Sequence, residues 1–142
     1  MNALTRVPAT EAADVAVPAS HVDLLTRPIC GVLTTLGRDG RPESSLVWVD
    51  TDGRCARINT TLERRKGRNL VRDPRLSITV WDNEDPYRYF EVEGVAELDE
   101  EGAGEHINDL SLQYEDRPFH TPTERVIVRV NATRVLDHGV DD

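Results

Sequence analysis

Short β-rich runs alternate with tight-turn signals along most of this chain, and that punctuation restricts it to a mainly antiparallel β architecture. Ile29–Leu36 is followed by Gly37-Arg38-Asp39-Gly40, Pro42–Val49 by Asp50-Thr51-Asp52-Gly53, and Cys55–Thr61 comes next. Turns of this kind join neighbouring antiparallel strands, so the three runs read as a hairpin meander. Arg75–Trp81, Tyr89–Leu98 and a run from Val126 towards Leu136 supply three more strands. Tyr89–Leu98 alternates with period two: Phe90, Val92, Ala96 and Leu98 share one face, opposite Tyr89, Glu91, Glu93 and Glu97.

Helical signals interrupt the strands at three places. Ser20 stands three residues before Asp23, a capping arrangement that predicts a short helix ending before Pro28. Glu63–Arg72 is built of helix formers and stops before Asp73-Pro74. Ala103–Tyr114 places Ile107, Leu110 and Tyr114 on one helical face. Residues 1–19 show no period and read as a mobile arm, leaving 20–142 as one domain. The expected fold is a six-stranded antiparallel barrel with helices packed at its ends, in which closure removes exposed strand edges.

Composition narrows the function. Apolar residues make up 38% of the 142 and aromatics only 5%, a lean core that a partner subunit would support. A net charge of −9 argues against nucleic-acid binding, because phosphates would be repelled. The longest uncharged stretch, Pro28–Gly37, is about half of a membrane-spanning helix. The N-terminus has no apolar run behind a basic start, so a cytoplasmic location is expected. Cys30 and Cys55 fall in strand-like runs and are expected to be buried free thiols.

Against that acidic background, six of the 17 basic residues lie between Arg64 and Arg75. They follow Asn59-Thr60-Thr61, where a strand gives way to a helix. A helix start presents unpaired backbone N–H groups and the positive dipole end, which favour an anion. Arg64 and Arg65 add planar forks and Lys66 a point charge, a set suited to one phosphate or diphosphate. Arg64 and Lys66 are two apart, so a regular helix would splay them by about 200°. They share one anion only if the helix proper begins at about Arg65 or Lys66. A solvated basic helix face is the competing reading of the same charges.

Other candidates are weaker. His21, His106, His120 and His138 are scattered without metal-ligand spacing, so solvated or capping roles are expected. Ser44 and Ser45 lack the Gly-flanked turn of a hydrolase nucleophile. Glu91, Glu93 and Glu97 share a polar strand face that solvent or Arg129 would satisfy. Trp48, Trp81, Tyr87 and Tyr89 would wall a flat ring or simply pack in the core.

Several segments, in order and spacing, carry a family likeness across residues 20–137. They include Gly31-Val32-Leu33-Thr34-Thr35-Leu36, Asp39-Gly40-Arg41-Pro42, Val47-Trp48-Val49-Asp50, Asn59-Thr60-Thr61 and Arg64-Arg65-Lys66-Gly67-Arg68-Asn69-Leu70. Arg72-Asp73-Pro74-Arg75, Pro86-Tyr87-Arg88-Tyr89, Glu91-Val92-Glu93-Gly94, Glu105-His106-Ile107 and Glu124-Arg125-Val126-Ile127-Val128-Arg129 continue it. The chain resembles the pyridoxamine-phosphate-oxidase-like split barrels, in particular the branch that uses the deazaflavin coenzyme F420. The resemblance implies a six-stranded split-barrel homodimer with a cofactor, F420 or alternatively flavin mononucleotide (FMN), at each subunit junction. Arg64 and Lys66 match the pair that grips the cofactor phosphate, with Arg65 and Asn69 nearby. Ser45, Leu46 and Val47 match the segment along the ring system, Asn59 and Thr60 the next strand, and Trp81 and Tyr87 an approach from the partner subunit. The implied activity is hydride transfer to an organic substrate; a non-enzymatic cofactor- or haem-binding barrel is the other expectation. The chain departs from the pattern at Glu43, where Gln is usual, and lacks the C-terminal Arg-Leu segment that serves vitamin B6 oxidation.

Overall fold

The computed structural model describes residues 17–120 and 123–139; most of the arm expected over 1–19 lies outside them. A 3-10 helix, Ala19–Leu25, leads into β1 (Gly31–Leu36), β2 (Pro42–Val47), β3 (Asp50–Thr51) and β4 (Ala56–Thr60). Helix α1 (Arg65–Arg72), β5 (Arg75–Trp81), β6 (Tyr89–Asp99), α2 (Ala103–Glu115) and β7 (Val126–His138) complete the chain. All seven strands form one antiparallel sheet in the order β2-β1-β5-β6-β7-β4-β3.

The fold is the expected split barrel, a curled antiparallel sheet with flanking helices, with two corrections. There are seven strands rather than six, because the first two residues of the expected Asp50–Gly53 turn are a short strand, pairing Asp50 with Arg57 and Thr51 with Ala56, and the reversal itself falls at residues 52–55. The first three runs are also not a continuous meander. β2 pairs only with β1, and Trp48-Val49 carries the chain to the opposite edge, where β4 pairs with β7. A turn signal fixes a local reversal; it cannot say which strand lies beyond it. The first helix differs too. It is 3-10, Pro18 stands at its N-cap, and the Ser20 hydroxyl bonds the His21 ring instead of capping.

Curling turns one face of each strand inward. Leu33, Ile58, Ile78, Val80, Phe90, Val92, Val128 and Val130 are almost fully buried in a single cluster with Leu24, Leu25 and Leu70. The alternation read for Tyr89–Leu98 therefore holds. Long β6 and β7 stay in contact by a register shift at Glu93/Gly94, where a Cβ on Gly94 would stand 2.4 Å from the Asn131 carbonyl oxygen. Arg88 ties the 3-10 helix to the β5–β6 turn through Asp23 and through Asp82 at 3.1 Å.

Tyr114 fastens α2 to the point where the chain crosses between sheet edges. Its hydroxyl lies 2.7 Å from the Ile29 carbonyl oxygen and 2.8 Å from that of Val49, and accepts the Val49 N–H at 3.1 Å. Its ring stacks on Trp48 at 5.5 Å. Tyr114→Phe is expected to cost about 1–3 kcal/mol, because it leaves the Val49 N–H without its partner. Burial pushes the Tyr114 phenol up to about 12, against a smaller lowering by the Val49 bond. The folded-state value exceeds that of the unfolded chain. This contribution is therefore complete below about pH 10 and is lost as pH rises through 12. Urea melts between pH 9 and pH 12 should show a loss of stability that the Phe variant lacks.

Candidate functional site

The anion site expected from the sequence forms where β4 hands over to α1. Arg64 occupies the N-cap in an extended conformation (φ −72°, ψ 154°), and the helix proper begins at Arg65, as the spacing of Arg64 and Lys66 requires. Arg64 thus leaves the helical path, and both side chains line the same cleft. No side chain caps the helix start. Gly67 lets this turn press against β4's exit, since a Cβ there would lie 2.1 Å from the Thr61 carbonyl oxygen.

The cleft has a volume of about 240 Å³ and joins a charged floor to an apolar wall. Arg64, Lys66 and Arg125 supply the charge, while Leu46, Val47, Trp48, Ile107, Leu110 and Phe119 supply the wall. A second hollow of about 320 Å³ shares Arg64 and Lys66 and adds Ser45, Arg65 and Asn69. Together they reach the size range of small-molecule sites. Among the described residues, no carboxylate comes within ion-pair distance of the Arg64, Lys66 or Arg125 side chains. Burial first, then the Arg64 and Arg125 charges, holds the Lys66 ammonium below its ordinary value. Burial, then Arg64, lowers Arg125 likewise. Two half-buried cations, Lys66 and Arg125, and the exposed Arg64 thus meet with no ion-pair partner of their own among the described residues, Glu43 in the adjoining hollow being taken by Arg65 and Asn69, and are suited to an incoming anion. An apolar wall beside them suits a flat ring, so the residues present fit a phosphorylated flavin-type cofactor.

The remaining candidates have distinct surroundings. Leu46 lines the cleft and is 68% exposed, apolar area that a bound ring would cover. Arg65 turns towards Glu43, at 3.9 Å. Asn69 is buried, donating to Thr35 at 3.0 Å and to Glu43 at 2.7 Å. The carboxylate standing in place of the family's Gln is therefore held by α1. Asn59 lines the cleft, whereas Thr60 turns into the barrel, where its hydroxyl is buried with no hydrogen-bond partner among the described residues. Trp81 and Tyr87 lie outside both hollows of their own chain; Trp81 is half-buried at the end of β5 and Tyr87 is 83% exposed.

Several expectations need correction. His21 and His106 are buried, not solvated: His21 bonds the His138 carbonyl oxygen at 2.8 Å, and His106 bonds Asp50 at 3.1 Å. Cys30 and Cys55 are free, but Cys30 is exposed on the cleft and Cys55 only half-buried, because each lies just outside its strand. Arg129 stands opposite Glu97, as expected, and its charge is favoured by that carboxylate, but it also pairs with Asp99 at 2.9 Å and Asp52 at 3.5 Å, while Glu93 faces Arg134. Arg125 was missed. It enters the site because β4 and β7 pair side by side, a neighbourhood that no spacing in the sequence reveals.

Comparison with known proteins agrees with this architecture. An F420 reductase of known structure is 34% identical, covering 84% of this chain and 98% of its own, with a TM-score of 0.75. A conserved hypothetical protein from Mycobacterium tuberculosis is 28% identical over 94% of this chain and 89% of its own, with a TM-score of 0.70. A heme binding protein from Mycobacterium smegmatis, 22% identical over 98% of this chain and 57% of its own, shares the fold at a TM-score of 0.61. The sequence pattern of pyridoxamine 5'-phosphate oxidase matches residues 17–139, nearly the whole chain. With the split barrel and the cleft already described, that match makes the chain a member of the pyridoxamine 5'-phosphate oxidase family.

Proposed function

We propose that the protein is an F420-dependent reductase that works in the cytoplasm as a homodimer. The observation that carries this reading is the meeting of Arg64, Lys66 and Arg125, without a carboxylate partner, beside an apolar wall. The likeness to an F420 reductase at 34% identity favours the deazaflavin. When bound in its reduced form, that cofactor would supply the hydride and leave oxidised by two electrons. The residues of the chain bind and orient. Arg64, Lys66 and Arg125 hold the phosphate, with Arg65 and Asn69 shaping the adjoining hollow. Ser45, Leu46 and Val47 run along the ring, Asn59 closes the side towards β4, and Trp48 and Phe119 exclude water. The partner subunit's Trp81 and Tyr87 complete the wall, which gives the exposed Tyr87 a role. No side chain is assigned as a nucleophile.

FMN is the rival ligand, because the same clamp would hold its phosphate. F420 is expected to bind at micromolar or better affinity and FMN at least about tenfold weaker, a gap near 1.4 kcal/mol. Fluorescence-quenching titrations decide it; equal or tighter FMN binding would transfer the site to the flavin. Light scattering should give twice the 15.9 kDa chain mass at micromolar concentration. A monomer would remove Trp81 and Tyr87 from the site. Tight binding with no turnover of any acceptor would favour a cofactor-binding protein over a reductase.

A further inference from the structure

Arg125 is a half-buried cation whose neighbours in the cleft are two more cations. Its ring contact is Phe119, with the guanidinium carbon 5.2 Å from the ring centroid. Among the described residues its direction is set by the hydrogen bond that Nε donates to Asn59 Oδ1 at 2.8 Å. The Asn59 amide has no freedom of assignment. Arg125 Nε can only donate, and the Ala103 carbonyl oxygen, 2.9 Å from Nδ2, can only accept. The same Nδ2 lies 3.0 Å from His106 Nδ1, so that ring nitrogen accepts. The imidazole proton then sits on Nε2, 3.1 and 3.2 Å from the two Asp50 carboxylate oxygens. Arg57 holds Asp50 from the other side, with Nε at 2.9 Å and Nη2 at 2.8 Å. Burial raises the Asp50 carboxyl, but the bonds from His106 and Arg57 outweigh it and keep the group ionised. None of Asp50, Arg57 and His106 lines the cleft, and the mechanism above uses none of them.

We propose that His106 and Asp50 are positioning residues for the anion clamp: together with the Ala103 carbonyl oxygen, they hold both Nδ2 hydrogens of Asn59 and so keep its amide in the orientation that offers its oxygen to Arg125. That contact holds the Arg125 guanidinium towards Arg64 and Lys66 against their charge. A flipped amide would set Nδ2 against Arg125 Nε, donor against donor, and turn the guanidinium away. The relay thus runs from a half-buried ion pair at one sheet edge, through α2 and β4, to the cleft. The inference rests on the clamp reading, and its test separates the two.

F420 is titrated by fluorescence quenching into the wild type, Lys66→Ala, Arg125→Ala, His106→Leu and the Arg125→Ala/His106→Leu double variant. His106→Leu leaves Asp50 paired with Arg57, so no buried carboxylate is stranded. His106→Leu is expected to weaken binding about tenfold, and to change it by less than about twofold once Arg125 is Ala, because coupled residues are non-additive. An equal effect in both backgrounds overturns the proposal and leaves His106 merely structural. Lys66→Ala without effect sinks the clamp reading, and the proposal with it. Should His106→Leu fail to fold, nitrogen-15 NMR of the wild-type imidazole still decides. The proton is expected on Nε2, and a proton on Nδ1 overturns the relay.

Discussion

Lys66→Ala and Arg64→Ala are each expected to weaken F420 binding by about 1.5–3 kcal/mol, the range for a hydrogen bond to a charged group. Both side chains line the two joined hollows, and neither has a carboxylate to fall back on among the described residues. Lys66 is half-buried, so an anion bound there is poorly screened and its loss is felt in full, whereas Arg64 is exposed and its loss is expected at the lower end of that range. Arg72 provides the control. It sits at the far end of α1, exposed and already bonded to Asn69 at 2.8 Å. Arg72→Ala should cost less than about 0.5 kcal/mol, as screened surface charges do. Equal losses in all three variants would reduce the cluster to a diffuse positive field. No loss in any of them would make it a solvated helix face.

Gly67→Ala is expected to destabilise the fold by about 2–4 kcal/mol, at the upper end of overpacking costs. The added methyl would meet the Thr61 carbonyl oxygen at 2.1 Å and the Leu62 Cα at 3.0 Å. Both obstacles are backbone, so neither can rotate aside. Relief would come only by lifting α1 from β4, which moves Lys66 and weakens binding together with stability. Gly104, in the first turn of α2, has open space at its Cβ. Gly104→Ala should therefore gain about 0.5–1 kcal/mol from helix propensity. Urea melts of both variants check the pair, and an unchanged midpoint for Gly67→Ala would contradict the close approach.

What the sequence made legible was local. The bounds of β5 and the start of α1 follow from patterns confined to a few neighbours: the β-branched run after Pro74, and the Arg64/Lys66 spacing. The partner of each strand was not local. The Asp50–Gly53 signal marks a reversal of the chain, but the turn lies at residues 52–55 and reverses the two-residue strand Asp50–Thr51 at the far edge of the sheet, not β2. The same limit hid Arg125, which reaches Asn59 only because β4 lies against β7. His106 left a readable trace, since Ala103, His106, Ile107 and Leu110 share the buried stripe of α2. A histidine on an apolar stripe needs partners for both nitrogens, and Asp50 and Asn59 supply them from separate strands.

The central claim is that Arg64, Lys66 and Arg125 form a built cofactor site in each subunit. Isothermal titration of F420 into the purified wild-type protein tests it most directly. Saturation is expected at one F420 per chain with a micromolar or tighter Kd. No heat and no saturation with F420, and none with FMN in a parallel titration, would contradict it.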